Sequence, residues 1–110
     1  MAEFLGSSRR THYCTQISEK DIGKNVSVAG WAQRRRDLGS LIFIDLRDRS
    51  GIVQLAFDDS TDRAVFDKAF TVRSEYVLFA TGTVRERSSK NPNIPTGNIE
   101  IFVTELKILG

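Results

Sequence analysis

The stretch LIFIDLRDRSGIVQLAF, Leu41 to Phe57, decides how this chain is read. Its first half alternates at the two-residue period of a β-strand, with Ile42, Ile44 and Leu46 on one face and Leu41, Phe43, Asp45 and Arg47 on the other. DRSG then supplies turn chemistry before IVQLAF, so the two apolar runs form a hairpin. The anomaly is Phe43, an aromatic ring on the charged face. A lone surface aromatic is common, but an exposed ring is also a flat platform on which an unpaired base can stack.

Upstream, NVSVAGWAQR alternates with Val26, Val28, Gly30 and Ala32 on one side and Ser27, Ala29, Trp31 and Gln33 on the other, a first strand from Asn25 to Arg34. RRRDLGS, Arg34 to Ser40, reads as the loop that ends it. Downstream, DDSTDRAVFDKAFTVR sets Val65, Phe66, Ala69, Phe70 and Arg73 at helical spacing behind an Asp59/Ser60 capping signal. EYVLFATGTVRER is a fourth strand ending near Arg87, in which Gly82 marks a bulge or bend. Ser88 to Asn98, rich in Pro, Asn and Ser, is a loop, and IEIFVTELKIL is the fifth strand. Three strands, a helix and two strands predict an all-β OB-fold, a five-stranded Greek-key barrel with one helix between strands three and four. Such a barrel binds through its second and third strands and through the loops joining strands one to two and four to five.

Composition sets outer limits. The 110 residues suit a single domain over 1–110, with an N-terminal extension over about 1–20. A net charge of +2 is too small to diagnose a nucleic-acid partner, so placement of the charges has to carry that question. One cysteine, Cys14, rules out an internal disulfide and a Cys-rich zinc site. His12 lies two residues away, but a metal site lacks further ligands and a catalytic pair lacks a third partner. No Gly-rich phosphate loop or paired carboxylates appear, so neither a catalytic residue nor a metal site is expected. No apolar run nears the ~20 residues of a membrane span, and MAEFLGSSRR has no apolar signal-peptide core. A soluble, cytoplasmic chain without a membrane partner is expected.

The candidate binding residues cluster around Phe43. Arg34, Arg35 and Arg36 are the densest positive charge in the chain, either a solvated turn or a phosphate and base contact. Arg34 and Arg36 share a side, which leaves Arg35 for a structural role. Gln54 sits between inward Val53 and Leu55, so its amide faces out, either solvated or paired to a base edge. Arg85 and Arg87 share a face on strand four and lead into Lys90, Asn91 and Asn93. Glu100 projects away from Ile99 and Ile101, where its carboxylate balances charge or accepts from a guanine edge. Trp31 reads as a packing residue at the barrel edge.

RTHYCTQI, VAGWAQRRRDLGSLIFIDLRDRSGIVQLAFD and TGTVRER with TGNIEI together resemble the N-terminal anticodon-binding domain of bacterial aspartyl-tRNA synthetases, class II enzymes, from about Arg10 onward. The asparaginyl and lysyl enzymes share a looser version of the pattern, and RRRDLGSLIFIDLRD favours the aspartyl type. The resemblance implies a domain that grips the anticodon loop of tRNA-Asp without catalysing aminoacylation. ATP and Mg then belong only to the catalytic domain of the parent ligase, and no cofactor is expected here. It implies stacking on Phe43, base-edge reading by Gln54 and Glu100, and loop contacts from Arg34, Arg36, Arg85, Arg87, Asn91 and Asn93. Leu38, where a histidine marks enzymes that also accept tRNA-Asn, implies discrimination in favour of tRNA-Asp. The parent is expected to be a homodimer and this domain alone a monomer. The rival readings are a stand-alone OB-fold that binds single-stranded nucleic acid nonspecifically and a protein-interaction barrel.

Overall fold

A computed structural model describes Gly6 and residues 9–110. The reading of residues 1–10 as lacking a signal peptide rests in part on residues 1–5, 7 and 8, which lie outside the described ones, as does the start of the 1–20 extension. Five strands close into a barrel in the order β1-β2-β3-β5-β4. They are β1 (Asn25–Asp37), β2 (Ile42–Asp48), β3 (Gly51–Phe57), β4 (Val77–Glu86) and β5 (Ile99–Ile108), with α1 (Arg63–Phe70) between β3 and β4. This is the OB-fold order that the sequence predicts.

The alternation in β2 holds throughout: Ile42, Ile44 and Leu46 are wholly buried, facing Val53, Leu55 and Phe57 of β3 across the hairpin. Val26, Val28 and Ala32 of β1, Leu78, Ala80 and Val84 of β4, and Ile101, Val103 and Leu106 of β5 fill the same interior. Each of the larger aliphatic and aromatic side chains taken fully from water contributes roughly 1.5–3 kcal/mol, so the inward stripes account for closure of the barrel.

Two boundaries differ from expectation. β1 continues through Arg34, Arg35 and Arg36 to Asp37, because Arg36 pairs with Phe43 and Asp37 with Ile42; only 38–41 is left as the loop between β1 and β2. The helix starts at Arg63 with Asp62 at its N-cap, so Asp59/Ser60 do not cap it. That signal is spent on a tight turn instead: the Ser60 backbone N–H and hydroxyl donate to Asp58 Oδ1 at 2.9 and 2.7 Å, and Thr61 N–H donates to Asp58 O at 3.0 Å. Gly82 does mark an irregularity, since the β4-β5 register slips between Thr81 and Gly82. Trp31, read as a packing residue at the barrel edge, is 37% exposed on the outside of β1, opposite Arg47.

The segment before β1 closes one end of the barrel. Cys14 and Ile17 enter the core, and Asp48 Oδ2 accepts from the Cys14 backbone N–H at 2.8 Å. Burial alone would raise the Asp48 carboxyl, but bonds from the Ser50 hydroxyl and the Cys14 and Ser50 N–H groups hold it below its usual range. Burial, reinforced by the Asp48 charge, pushes the Cys14 thiol far above its usual range. Because the thiolate is the reactive species, native Cys14 is expected to resist a disulfide reagent at pH 8 and to label fully in guanidinium chloride. Rapid native labelling would show that this end of the barrel opens.

Candidate nucleic-acid interface

One irregularity in β1 determines what the outer face presents. Trp31 and Ala32 pair with Arg47 and Leu46, but the register then shifts, so that Arg34 faces Asp45, Arg35 faces Ile44 and Arg36 faces Phe43. Residues opposite each other share a face of the sheet. Without this bulge at Gln33, strict alternation would turn Arg34 and Arg36 inward with Ala32; with it they lie outside, beside Asp45 and Phe43. Gln33 itself accepts a bond from Arg47 Nε. Arg35, on the inner side like Ile44, reaches the end of the barrel, 3.6 Å from Asp37 and with its guanidinium carbon 5.6 Å from the Phe70 ring centre. It lies off the outer face, as its position in the run suggests.

Across the outer face runs a chain of hydrogen bonds. Arg36 Nη2 donates to Gln54 Oε1 at 2.7 Å, Gln54 Nε2 donates to Glu100 Oε1 at 2.8 Å, and Arg85 Nε donates to Glu100 Oε2 at 2.7 Å. Both terminal nitrogens of Arg85 reach Asp58 Oδ2 at 3.3 Å. Burial would raise the Asp58 carboxyl, yet the Ser60 bonds and the Arg85 charge keep it low. Strands β1, β3, β5 and β4 are thereby joined outside the barrel as well as through their ladders.

This arrangement corrects the picture of Gln54 as an open amide. It does lie on the outer side, but only 3% of its surface is exposed, because the side chains bonded to it lie over it. Glu100, 5% exposed, has a protein donor on each oxygen. Phe43 is not a bare platform either: it is half-buried, with the Arg36 guanidinium carbon 5.1 Å from its ring centre, held by the attraction of a cation for an aromatic face. Arg87, expected to contact the anticodon loop, is 8% exposed and donates from Nε to Ser89 O at 2.9 Å.

Between these residues lies a cavity of about 200 Å³ lined by Arg34, Arg36, Asp45, Ile52, Gln54, Arg87, Asn91 and Ile94. It brings together five of the residues singled out in the sequence: Arg34, Arg36, Gln54, Arg87 and Asn91. Its size is below the ~300 Å³ at which drug-sized ligand clefts begin, which suits one planar ring more than a large ligand. The loop between β4 and β5 forms one wall. It is anchored by Thr96 Oγ1, which donates to Ile52 O at 2.6 Å, and by the Asn91 N–H, which donates to Gly97 O at 2.9 Å. A side chain at 97 would place its Cβ 1.6 Å from Asn91 O, so glycine is needed for this wall to fold back on itself.

Leu38 and Asn93 stand apart from the cavity. Leu38 is 60% exposed in the short loop after β1, and Asn93 is an exposed neighbour whose N–H donates to Asn91 Oδ1 at 3.0 Å. Two features escaped the sequence reading. Phe102, with the Arg85 guanidinium carbon 4.8 Å from its ring centre, is a second aromatic-arginine pair on this face; its alternation with Glu100 was the signal. Asp45, already on the Phe43 face of β2, lines the cavity.

A larger cavity of about 570 Å³ lies between α1 and the first loop, lined by Gly39, Ser40, Phe66 and Phe70 with Asp58, Asp59, Asp67 and Arg63. Three carboxylates against one arginine give it the wrong sign for a polyanion, whereas the smaller cavity sets three arginines against one carboxylate. Charge therefore favours the smaller one for nucleic acid. Among the described residues no three His, Cys, Asp or Glu side chains meet as a metal site, and no helix is long and apolar enough to cross a membrane.

Comparison with known proteins fits this geometry. Residues 26–109 match the family model described as "OB-fold nucleic acid binding domain". Over 99% of its length the chain is 53% identical to the Aspartate-tRNA(Asp/Asn) ligase of Caldanaerobacter subterraneus subsp. tengcongensis, covering 19% of that protein. It is also 53% identical to the Aspartate-tRNA ligase of Ruminiclostridium cellulolyticum, covering 18% of it. The chain thus spans about a fifth of the length of these relatives. Among solved structures, the asparaginyl-tRNA synthetase from Pyrococcus horikoshii complexed with asparaginyl-adenylate aligns with a TM-score of 0.77 at 27% identity, over 91% of this chain and 22% of that one.

Proposed function

The chain belongs to the OB-fold nucleic-acid-binding domain family, and on that premise we propose that it is the anticodon-reading module of an aspartate-tRNA ligase. Its partner in this reading is the anticodon loop of tRNA-Asp, whose bases leave their stack to be read as single-stranded RNA. The observation that carries the proposal is the outer face of β1, β2 and β3: a ring under a guanidinium beside a base-sized, arginine-lined cavity. The charge and aromatic placement of this face is what a purely structural barrel would not require.

In this reading Phe43, with Arg36, stacks one base. Gln54 meets a base edge with its amide already oriented, oxygen toward Arg36 and nitrogen toward Glu100, so Glu100 acts chiefly through Gln54. Arg34, Arg87, Asn91 and Asn93 contact the remaining loop, and Arg85 holds Glu100 in place. Leu38, at the exposed rim, favours tRNA-Asp over tRNA-Asn. The two relatives of equal identity carry names that differ on this point, so charging of purified tRNA-Asn by the parent enzyme is the deciding assay for Leu38. Residues 1–110 are one reading unit with an extension over about 1–20. Aminoacylation, with ATP and Mg, belongs to the rest of a parent enzyme, a cytoplasmic homodimer, whereas this unit alone is a monomer.

The test is a titration of the chain with a tRNA-Asp anticodon stem-loop and with loops changed at single anticodon bases, at one fixed salt concentration, because phosphate contacts alone produce salt-dependent binding to any RNA. Each change is expected to weaken binding roughly five-fold or more, in line with ~1–3 kcal/mol per lost base contact. Equal affinity for every loop would leave a single-strand binder without anticodon preference.

A further inference from the structure

Of the carboxylates in this hydrogen-bond chain and cavity, Asp58 and Glu100 are committed to the fold, both pairing with Arg85. Asp45 differs. It is half-buried and lines the arginine-rich cavity, and among the described residues its carboxylate makes no hydrogen bond or ion pair. Its neighbours across the two ladders are Arg34 and Gln54, so one row of the sheet sets a donor, an acceptor and an amide side by side. Gln54 is already bonded on both ends of its amide, whereas Asp45 and Arg34 face the cavity without bonding each other.

We infer that Asp45 is a specificity-determining residue that accepts the N1–H and N2 amino hydrogens of a guanine in this cavity. The inference rests on the reading of this face as an RNA site. A carboxylate has two oxygens and no proton to give at neutral pH, so its best partner is an edge with two adjacent donors. Among the bases the Watson–Crick edge of guanine offers that pair, followed by the O6 acceptor, which suits the neighbouring Arg34. An edge presenting an acceptor at the same place would meet the negative charge and be rejected. Asp45 takes over the guanine contact that the sequence pattern suggests for Glu100, whose oxygens are each occupied by a protein donor.

The experiment uses the 110-residue chain and its D45N variant, titrated with the anticodon stem-loop carrying guanine, inosine or adenine at the anticodon guanine. Inosine lacks only the N2 amino group. The wild-type chain is expected to bind the guanine loop about ten-fold more tightly than the inosine loop and to discriminate still more against adenine. D45N is expected to lose about ten-fold on the guanine loop and to bind guanine and inosine alike, with an unfolding midpoint equal to wild type because no partner in the fold is lost. A D45N variant that keeps the full guanine-over-inosine ratio overturns the inference, as does one that weakens on all three loops by the same factor. Wild-type protein indifferent to every anticodon base would instead refute the RNA-reading function, and this inference with it. The first two outcomes overturn this inference alone and leave that function standing.

Discussion

Gly82→Ala is expected to lower the unfolding free energy by about 3 kcal/mol, toward the upper end of what overpacking costs. At this point β4 is bonded on both sides, to Val26 of β1 and Val103 of β5, and the β5 ladder slips by one residue. A Cβ here would lie 2.1 Å from Phe102 O and 2.8 Å from Ile101 Cγ2. A side chain could rotate away, but a backbone oxygen between two ladders cannot without shifting β5. The whole stability of a domain this size is about 5–15 kcal/mol, so the loss would be a large fraction of it. In urea the midpoint should fall by on the order of 1–2 M. Gly110→Ala is the control, since nothing lies within 4 Å of its added methyl group. An unchanged midpoint for Gly82→Ala would mean that the barrel yields at this corner at little cost.

Phe43→Ala should weaken binding of the anticodon stem-loop by roughly 1–3 kcal/mol, the value of one base stacked on an aromatic ring, or about 5- to 150-fold. The loss has two physical sources. One is the ring itself; the other is the seat it gives the Arg36 guanidinium, whose Nη2 orients Gln54. Comparing Phe43→Ala, Arg36→Ala and the double variant separates them, because groups that act through one another lose less together than the sum of their single losses. Stability should change far less than binding, since the residues that fill the core lie on the opposite face of β2. Binding by Phe43→Ala at wild-type strength would remove the stacking role and leave the ring as a support for Arg36.

Much of this was legible in the residues, for identifiable reasons. A strand with one wet face writes its burial pattern into alternate positions, so β2 and its hairpin with β3 could be read directly from Ile42, Ile44 and Leu46. What failed were features set by distant partners. The arginine run looks like a loop by composition, but Phe43 and Ile42 pair with it and keep it extended. Asp59 and Ser60 resemble a helix cap, and only the orientation of Asp58 shows that they serve a turn. The outward face of Gln54 was readable and its burial was not, since the groups bonded to it come from β1 and β5, 18 and 46 residues away. Asp45 was visible on the Phe43 face throughout; its lack of a partner is a property of three strands together, which no local pattern records.

The bulge at Gln33 makes β1 a strand with a parity. Two of its arginines face outward only because the number of residues since Ala32 is odd by one against the partner strand. Deleting Gln33 would leave Arg34 and Arg36 outward, whereas keeping Gln33 and pairing it regularly would exchange the roles within the run, bringing Arg35 out and turning its neighbours in, with no amino acid replaced. A run of three identical residues hides such a frameshift from any residue-by-residue comparison, because the letters still line up while the faces do not. In domains built this way, loss of the bulge with Gln33 retained marks a changed surface even where every arginine is kept.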